Sequence, residues 1–390
     1  MTRPVSRLDG RRGLVVSRRV VRVLVLSDLH HASAGEQARA GLEETVVRSS
    51  VGRMLLRFHR QRIWLAHPHR QNHRWRAIVA REPGPDLVVA NGDFCLDSAF
   101  VGVADEAACI SARECLAGLS AAYGGRLHRT VGDHDLGKKS LLGEAGGPRR
   151  LSLERCAGEL GFQRAWRLDV GSRSLVGVTS TLAAWPLFAA EALLEEREWW
   201  EGEHRRHLAE VEALFAGLAG DRRILLFCHD PSALPFLAEL PSVRARLGQV
   251  EHTLLGHLHS PAILSLANRL AGLPAIPWLG TSVRRYSTAL RRARAWKAFR
   301  PVLCPSPAGI QLLKDGGYLV LEGDPVGQGK DGGTVQMPEE GVFHLIQPRP
   351  HRRQFGQERQ GRRVMAEQQD PPVPGQPRKE RLHLGQVTAV

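Results

Sequence analysis

Five short apolar runs, each stopping at histidine or aspartate, constrain this chain more than any other feature. Val20 to Leu26 ends at Ser27-Asp28-Leu29-His30, and Leu87-Val88-Val89-Ala90, entered from Asp86, ends at Asn91-Gly92-Asp93. Arg126 to Val131 precedes Gly132-Asp133-His134-Asp135, Ile224 to Cys228 precedes His229-Asp230, and Thr253-Leu254-Leu255 precedes Gly256-His257-Leu258-His259. Short apolar runs rich in β-branched residues read as strands buried on both faces. Polar residues at their C-terminal ends stand where open α/β sheets place ligands.

Helical stretches lie between these runs, notably Ala104 to Ala122, Leu187 to Leu218 and Pro235 to Leu247, so strand and helix mostly alternate. Arg164 to Thr181 predicts a hairpin turning at Gly171-Ser172, and Ile310 to Leu321 predicts another around Asp315-Gly316-Gly317. The fold class expected is α/β, a β-sandwich of two sheets flanked by helices with the active site at strand C-termini. With 390 residues, 43% of them hydrophobic, the chain can bury a substantial core. That domain is expected over 1–324, with an arginine-rich insertion at about 36–82 between the first two strands. From Pro325 onward Gly, Gln, Pro and Arg dominate and apolar periodicity fades, which predicts a disordered tail over 325–390.

No stretch approaches the ~18 apolar residues of a membrane span, and Val20 to Leu26 is too short for an export signal. The six scattered cysteines form no C-x-x-C pair and suit a reducing, cytoplasmic location. The net charge of +14 comes almost wholly from arginine. It favours acidic partners: a phosphorylated small-molecule substrate, nucleic acid or an anionic membrane surface. A solvated basic surface is the plainer account. No protein partner follows from the sequence.

Taken singly, each block has a bland explanation. Asp28 can cap a helix, His30 and His31 can be polar loop residues, and His229-Asp230-Pro231 can be a turn. Together and in this order, Asp-x-His, Gly-Asp, Gly-x-His-Asp, His and Gly-His-x-His resemble the five signature blocks of the calcineurin-like metallophosphoesterases, over about residues 20 to 320. The resemblance implies two divalent metal ions clamping an in-line phosphoryl displacement, manganese by family habit, with iron or zinc also compatible. It implies that Asp28, His30, Asp93 and His259 hold the first ion and that Asp133, His229 and His257, with the bridging Asp93, hold the second. His134 stands where the family keeps a general acid facing the leaving group, and Asp135 would orient it. The nucleophile would be the hydroxide bridging the two ions, acting on a phosphomonoester or phosphodiester. Gly92, Gly132 and Gly256 would allow backbone to approach the metals.

At Asp133 the chain departs from the pattern, which places Asn there. Aspartate adds a negative charge and removes an amide donor to the substrate phosphate. Two rivals to a small-molecule phosphoesterase remain at this stage: a nuclease of the same superfamily, suggested by the basic charge, and a catalytically weakened metal-binding regulator, suggested by Asp133.

Other features are candidates for smaller roles. Arg284 and Arg285 follow Gly280-Thr281-Ser282, which resembles the turn after the family's last core strand, and either is a candidate phosphate clamp. His67, His69 and His73 have a spacing that a further metal could use. Tyr286, Ala289, Leu290, Ala293 and Trp296 share one helical face, either packed on the domain or part of a basic amphipathic surface. Met54 to Leu65 offers the same choice, or a lid over the site.

Overall fold

All five apolar runs form strands. β1 (Val21–Leu26), β2 (Leu87–Asn91) and β3 (Leu127–Thr130) run parallel in one sheet. β9 (Leu319–Gly323) pairs antiparallel with β1, and β10 (His344–Ile346) lies outside it. In the second sheet β4 (Ala165–Val170) and β5 (Arg173–Val178) form the expected hairpin. From β5 the sheet continues in parallel through β6 (Arg223–Cys228), β7 (Val250–Leu255) and β8 (Pro301–Leu303). The computed structural model describes residues 21–346, apart from 40, 65–66, 143, 277, 279 and 324–343, and these described residues belong to one compact unit.

Pleating sends successive side chains to opposite faces, so a strand covered on both faces must be apolar at every position. Val23, Val25 and Val89 of the first sheet meet Leu175, Leu225, Phe227 and Leu254 of the second in one buried cluster. Their neighbours Leu24, Leu26, Val88, Ile224 and Leu226 belong to the other cluster, beneath the helices. The helix Glu106–Tyr123 contributes Cys109, Ala112, Leu116 and Leu119 to that cluster, and its N-cap Asp105 accepts a hydrogen bond from the Ala108 amide at 3.1 Å. The helix Arg197–Ala216 contributes Trp200, Val211 and Phe215, with the Trp200 ring 4.9 Å from that of Trp185. The expected two-sheet α/β sandwich is thus the fold observed.

Several local expectations give way. Ile310 to Leu321 is not a hairpin: Asp315 accepts from the Ile310 amide at 2.7 Å and from the Ser260 hydroxyl at 2.5 Å, closing a loop, while β9 finds its partner in β1. The stretch Leu187 to Leu218 divides into a turn of helix at Trp185–Phe188 and the long helix from Arg197, and Pro235 to Leu247 divides at Pro241. The expected tail boundary at 324 is not where the sheet ends, because β10 supplies backbone partners to the outer edge of β9. Residues 324–343 and 347–390 of that tail lie outside the described residues. The insertion is folded into short helices whose arginines are partly paired, Arg57 with Glu44 and Arg60 with Glu43, each at 2.6 Å. All six cysteines are buried free thiols, and no helix among the described residues is long and apolar enough to cross a membrane.

Candidate metal centre

The seven side chains expected as ligands converge at one end of the two sheets. Asp28, His30, Asp93 and Asp133 follow β1, β2 and β3 of the first sheet; His229, His257 and His259 follow β6 and β7 of the second. All seven are buried. Asp28, His30 and His259 form one cluster whose potential ligand atoms lie within 4.8 Å of one another, and Asp133, His229 and His257 form another. Asp93 clusters with His30 on one side and with His229 on the other, so its carboxylate faces both groups. Its Oδ2 lies 3.8 Å from His30 Nε2 and 3.1 Å from His229 Nε2.

The backbone that delivers these groups is strained. Asp28, His30, Asp93, His257 and His259 all have positive φ, between 43° and 64°, a region that non-glycine residues enter rarely and that clusters at functional sites. The neighbouring glycines serve close approach. A Cβ on Gly132 would stand 2.0 Å from Asp93 Oδ1, and one on Gly92, itself at φ 89°, would stand 2.5 Å from His229 Nδ1.

The donor set fits cations. His229 Nδ1 lies 2.6 Å from the Asn91 carbonyl, so that nitrogen carries the proton and donates. Its Nε2 lone pair then points at carboxylate oxygens, 3.1 Å from Asp93 and 3.3 Å from Asp133, with no hydrogen bond made there. Two lone-pair atoms in such contact require a positive charge between them. Burial acts to lower the His229 pKa, but Asp93, Asp133 and Asp28 outweigh it and raise it well above the ordinary histidine value, so a proton takes that place when no metal does. The Nε2 atoms of His30 and His259 likewise face each other at 3.4 Å. Mixed imidazole and carboxylate donors of this kind suit first-row divalent ions.

His134 stands beside this centre, its ring 4.7 Å from that of His30. Its orienting partner differs from the expected one. His134 Nδ1 donates to the Leu96 carbonyl at 2.9 Å, whereas Asp135 accepts from the backbone amides of Gly132 and Phe94, both at 2.9 Å, and of Asp93 at 3.1 Å. Asp135 therefore shapes the turns that carry Asp93 and Asp133 and does not set the His134 tautomer. Burial, reinforced by Lys138 and His30 and opposed by Asp93, pushes His134 down to about 3. The ring is neutral, with Nε2 as its acceptor.

The sequence reading missed Lys138. Its ammonium lies 3.1 Å from Asp133 Oδ2, on the far side of the carboxylate from His257 Nδ1, which is 2.9 Å from Oδ1. The extra charge at Asp133 is thus balanced within the chain. A pair of lysines follows Gly137 in the sequence, but nothing in that spacing shows that a single helical turn, Asp133–Leu136, folds the first of them back.

A cavity of about 860 Å³ opens at the centre, lined by His30, His134, His257 and His259 and also by Lys138, Lys139 and Arg285. Of the two candidate phosphate clamps, Arg285 is buried, 2.9 Å from Glu191, with Nη2 free of hydrogen-bond partners. Arg284 is exposed and does not line the cavity. Gly280 begins the helix Thr281–Arg292 and follows no strand among the described residues, contrary to the turn expected there. His67, His69 and His73 belong to no ligand cluster among the described residues; His69 Nδ1 donates to the Glu36 carbonyl at 3.0 Å.

Fold and side chains together define an α/β sandwich whose strand ends bring together buried His and Asp groups that could hold metal. No family model and no curated protein matches the chain. Among solved structures, it is similar to a dimetal phosphatase from Danio rerio, with 12% identity over 84% of this chain and 99% of the other at a TM-score of 0.39. It is also similar to a phosphopantetheinyl hydrolase from Mycobacterium tuberculosis, with 13% identity over 62% and 84% at a TM-score of 0.30. At these scores the similarities add nothing to what the chain's own sheets and side chains establish.

Proposed function

We propose that the chain is a dinuclear-metal phosphoesterase acting on a phosphomonoester or phosphodiester. The observation that carries this reading is Asp93, a buried carboxylate set between two adjoining clusters of ligand atoms and facing an imidazole of each. Asp28, His30 and His259 would hold one ion and Asp133, His229 and His257 the other, with Asp93 common to both. Bound there, divalent ions supply Lewis acidity toward a phosphoryl oxygen and lower the pKa of coordinated water. Manganese, iron and zinc all suit the donors, and manganese is the first to test.

The chain's own groups do the rest. Lys138 and Arg285 line the cavity and bring positive charge to a phosphate entering it. His134, anchored at Nδ1 by Leu96, offers Nε2 toward the centre. An adjacent phosphate anion raises the pKa of the neutral ring so that Nε2 takes a proton from solvent water and passes it to the leaving oxygen.

The test is turnover of p-nitrophenyl phosphate and bis-p-nitrophenyl phosphate by chelator-treated protein reloaded with Mn²⁺, Fe²⁺ or Zn²⁺. The expected result is hydrolysis that saturates at two metals per chain and falls roughly 10²–10⁴-fold in His134→Ala. Two bound metals without turnover of either ester would instead mark a metal-binding regulator.

A further inference from the structure

Beyond the centre, the cavity has a wall that the chemistry of phosphate transfer does not need. The helix Pro261–Arg269 is apolar on two sides: Leu264 and Ala267 are buried in the core, while Ile263 and Leu266 line the cavity, followed by Leu270. Residues 263, 266 and 270 fall on one helical face. Leu266 and Leu270 are 50% and 36% exposed there, so this face is covered by no other part of the described chain. The helix Thr281–Arg292 lines the same space with Ala289 and Leu290. The insertion adds Leu56 and Trp64, the latter with its ring 5.0 Å from His259.

The cavity therefore combines in its lining imidazoles of the centre, Lys138 and Arg285 with an aliphatic and aromatic set, and the insertion adds the charged Arg39, Glu43 and Arg60. Its volume of about 860 Å³ lies high in the ~300–1,000 Å³ range of sites for whole organic ligands. A phosphoryl group alone would leave the apolar flank in contact with water, an arrangement that marks an unfilled binding surface.

Resting on the phosphoesterase reading, we infer that the substrate is an amphiphilic phosphate ester: a phosphoryl group at the metal centre joined to an extended apolar chain lying along Leu266, Leu270, Leu290 and Trp64. Chain length then contributes to binding. Each buried methylene strengthens binding about two- to fourfold, the upper value for full burial.

The experiment measures binding and turnover separately on the full-length, Mn²⁺-loaded protein. Binding of ethyl-, butyl-, hexyl- and octylphosphonate, all below their micelle thresholds, is followed by calorimetry, and hydrolysis of the matching alkyl phosphates and alkyl p-nitrophenyl phosphates by product release. The expected result is a fall in Kd of at least about sixtyfold from ethyl to octyl, with Leu266→Asp and Trp64→Ala each shrinking that ratio at least about fivefold. Equal affinity along the series, no binding at all, or a ratio untouched by both variants would overturn the inference even if short esters are hydrolysed. Length-dependent binding with no ester cleaved would place the apolar chain in the cavity but refute the phosphoesterase reading, making the amphiphile a ligand and overturning its assignment as substrate. The same chemistry is presented by bilayer lipids and by soluble amphiphiles. Turnover of monomeric octyl esters identifies a soluble source, and turnover confined to phosphatidic acid in phosphatidylcholine vesicles identifies a membrane one.

Discussion

The Lys138–Asp133 pair allows a quantitative test of how the chain accommodates a carboxylate at this position. Lys138→Met keeps the aliphatic stem and removes the ammonium 3.1 Å from Asp133 Oδ2. Coulomb's law at an effective dielectric of ~20 gives about 5 kcal/mol for unit charges at that distance. Desolvation of the ammonium opposes this, and removal of one partner from a buried pair typically costs about 3–5 kcal/mol. Because His257 and His229 also face Asp133, the lower end is expected. In metal-free protein, urea unfolding should place Lys138→Met about 3 kcal/mol below the parent. Asp133→Asn/Lys138→Met should recover about 2 kcal/mol of that, because the uncompensated carboxylate is gone. With saturating Mn²⁺ the penalty of the single substitution should shrink, since Asp133 then faces a cation on its other side. Equal destabilisation of the single and double variants in the metal-free state would refute the reasoning, and would mean that the lysine matters through its stem alone.

Three further outcomes are expected. Asp93→Ala should lose bound metal at both positions in elemental analysis after dialysis, since one carboxylate faces both clusters; full loading would remove it from that role. Gly132→Ala should weaken metal binding in titration calorimetry, because the added methyl must displace Asp93, whose Oδ1 stands 2.0 Å from the ideal Cβ position; unchanged affinity would show that the turn relaxes freely. Burial, with Arg164 adding to it, pushes His207 down to about 3, far from the metal ligands in sequence. A histidine kept neutral in the fold contributes stability that is complete above the unfolded pKa of ~6.5 and is lost as pH falls from there toward 3, by up to ~1.4 kcal/mol per pH unit. His207→Leu should flatten the urea midpoint between pH 6.5 and 5, and an unaltered slope would place the acid sensitivity elsewhere.

The strand ends were legible because the signal is local: an apolar run that stops at Asp or His needs no knowledge of the rest of the chain. β8 and β10 escaped because each is three residues long, one starting at proline and the other set in a polar tail. β9 was misassigned to a local hairpin because its partner β1 lies almost the whole domain away in sequence. At the centre, the His and Asp side chains that converge could be read from residue types, but partners supplied by backbone could not. The Leu96 carbonyl that orients His134 is a group every residue possesses, so the neighbouring carboxylate of Asp135 looked like the better candidate. Lys138 was hidden for a related reason, since its role depends on a fold-back that its spacing does not encode.

One sheet supplies every carboxylate of the donor set, and the other supplies three of its four imidazoles. Neither sheet alone carries the whole donor set, so a cation bound there would join parts of the chain nearly a hundred or more residues apart. Its binding energy becomes cohesion between the sheets: at a thousandfold excess over Kd, each ion that binds only the assembled sandwich adds about 4 kcal/mol to the free energy of unfolding. Metal supply would then govern how long the protein survives, as a term added to the apolar cluster already buried between its two layers.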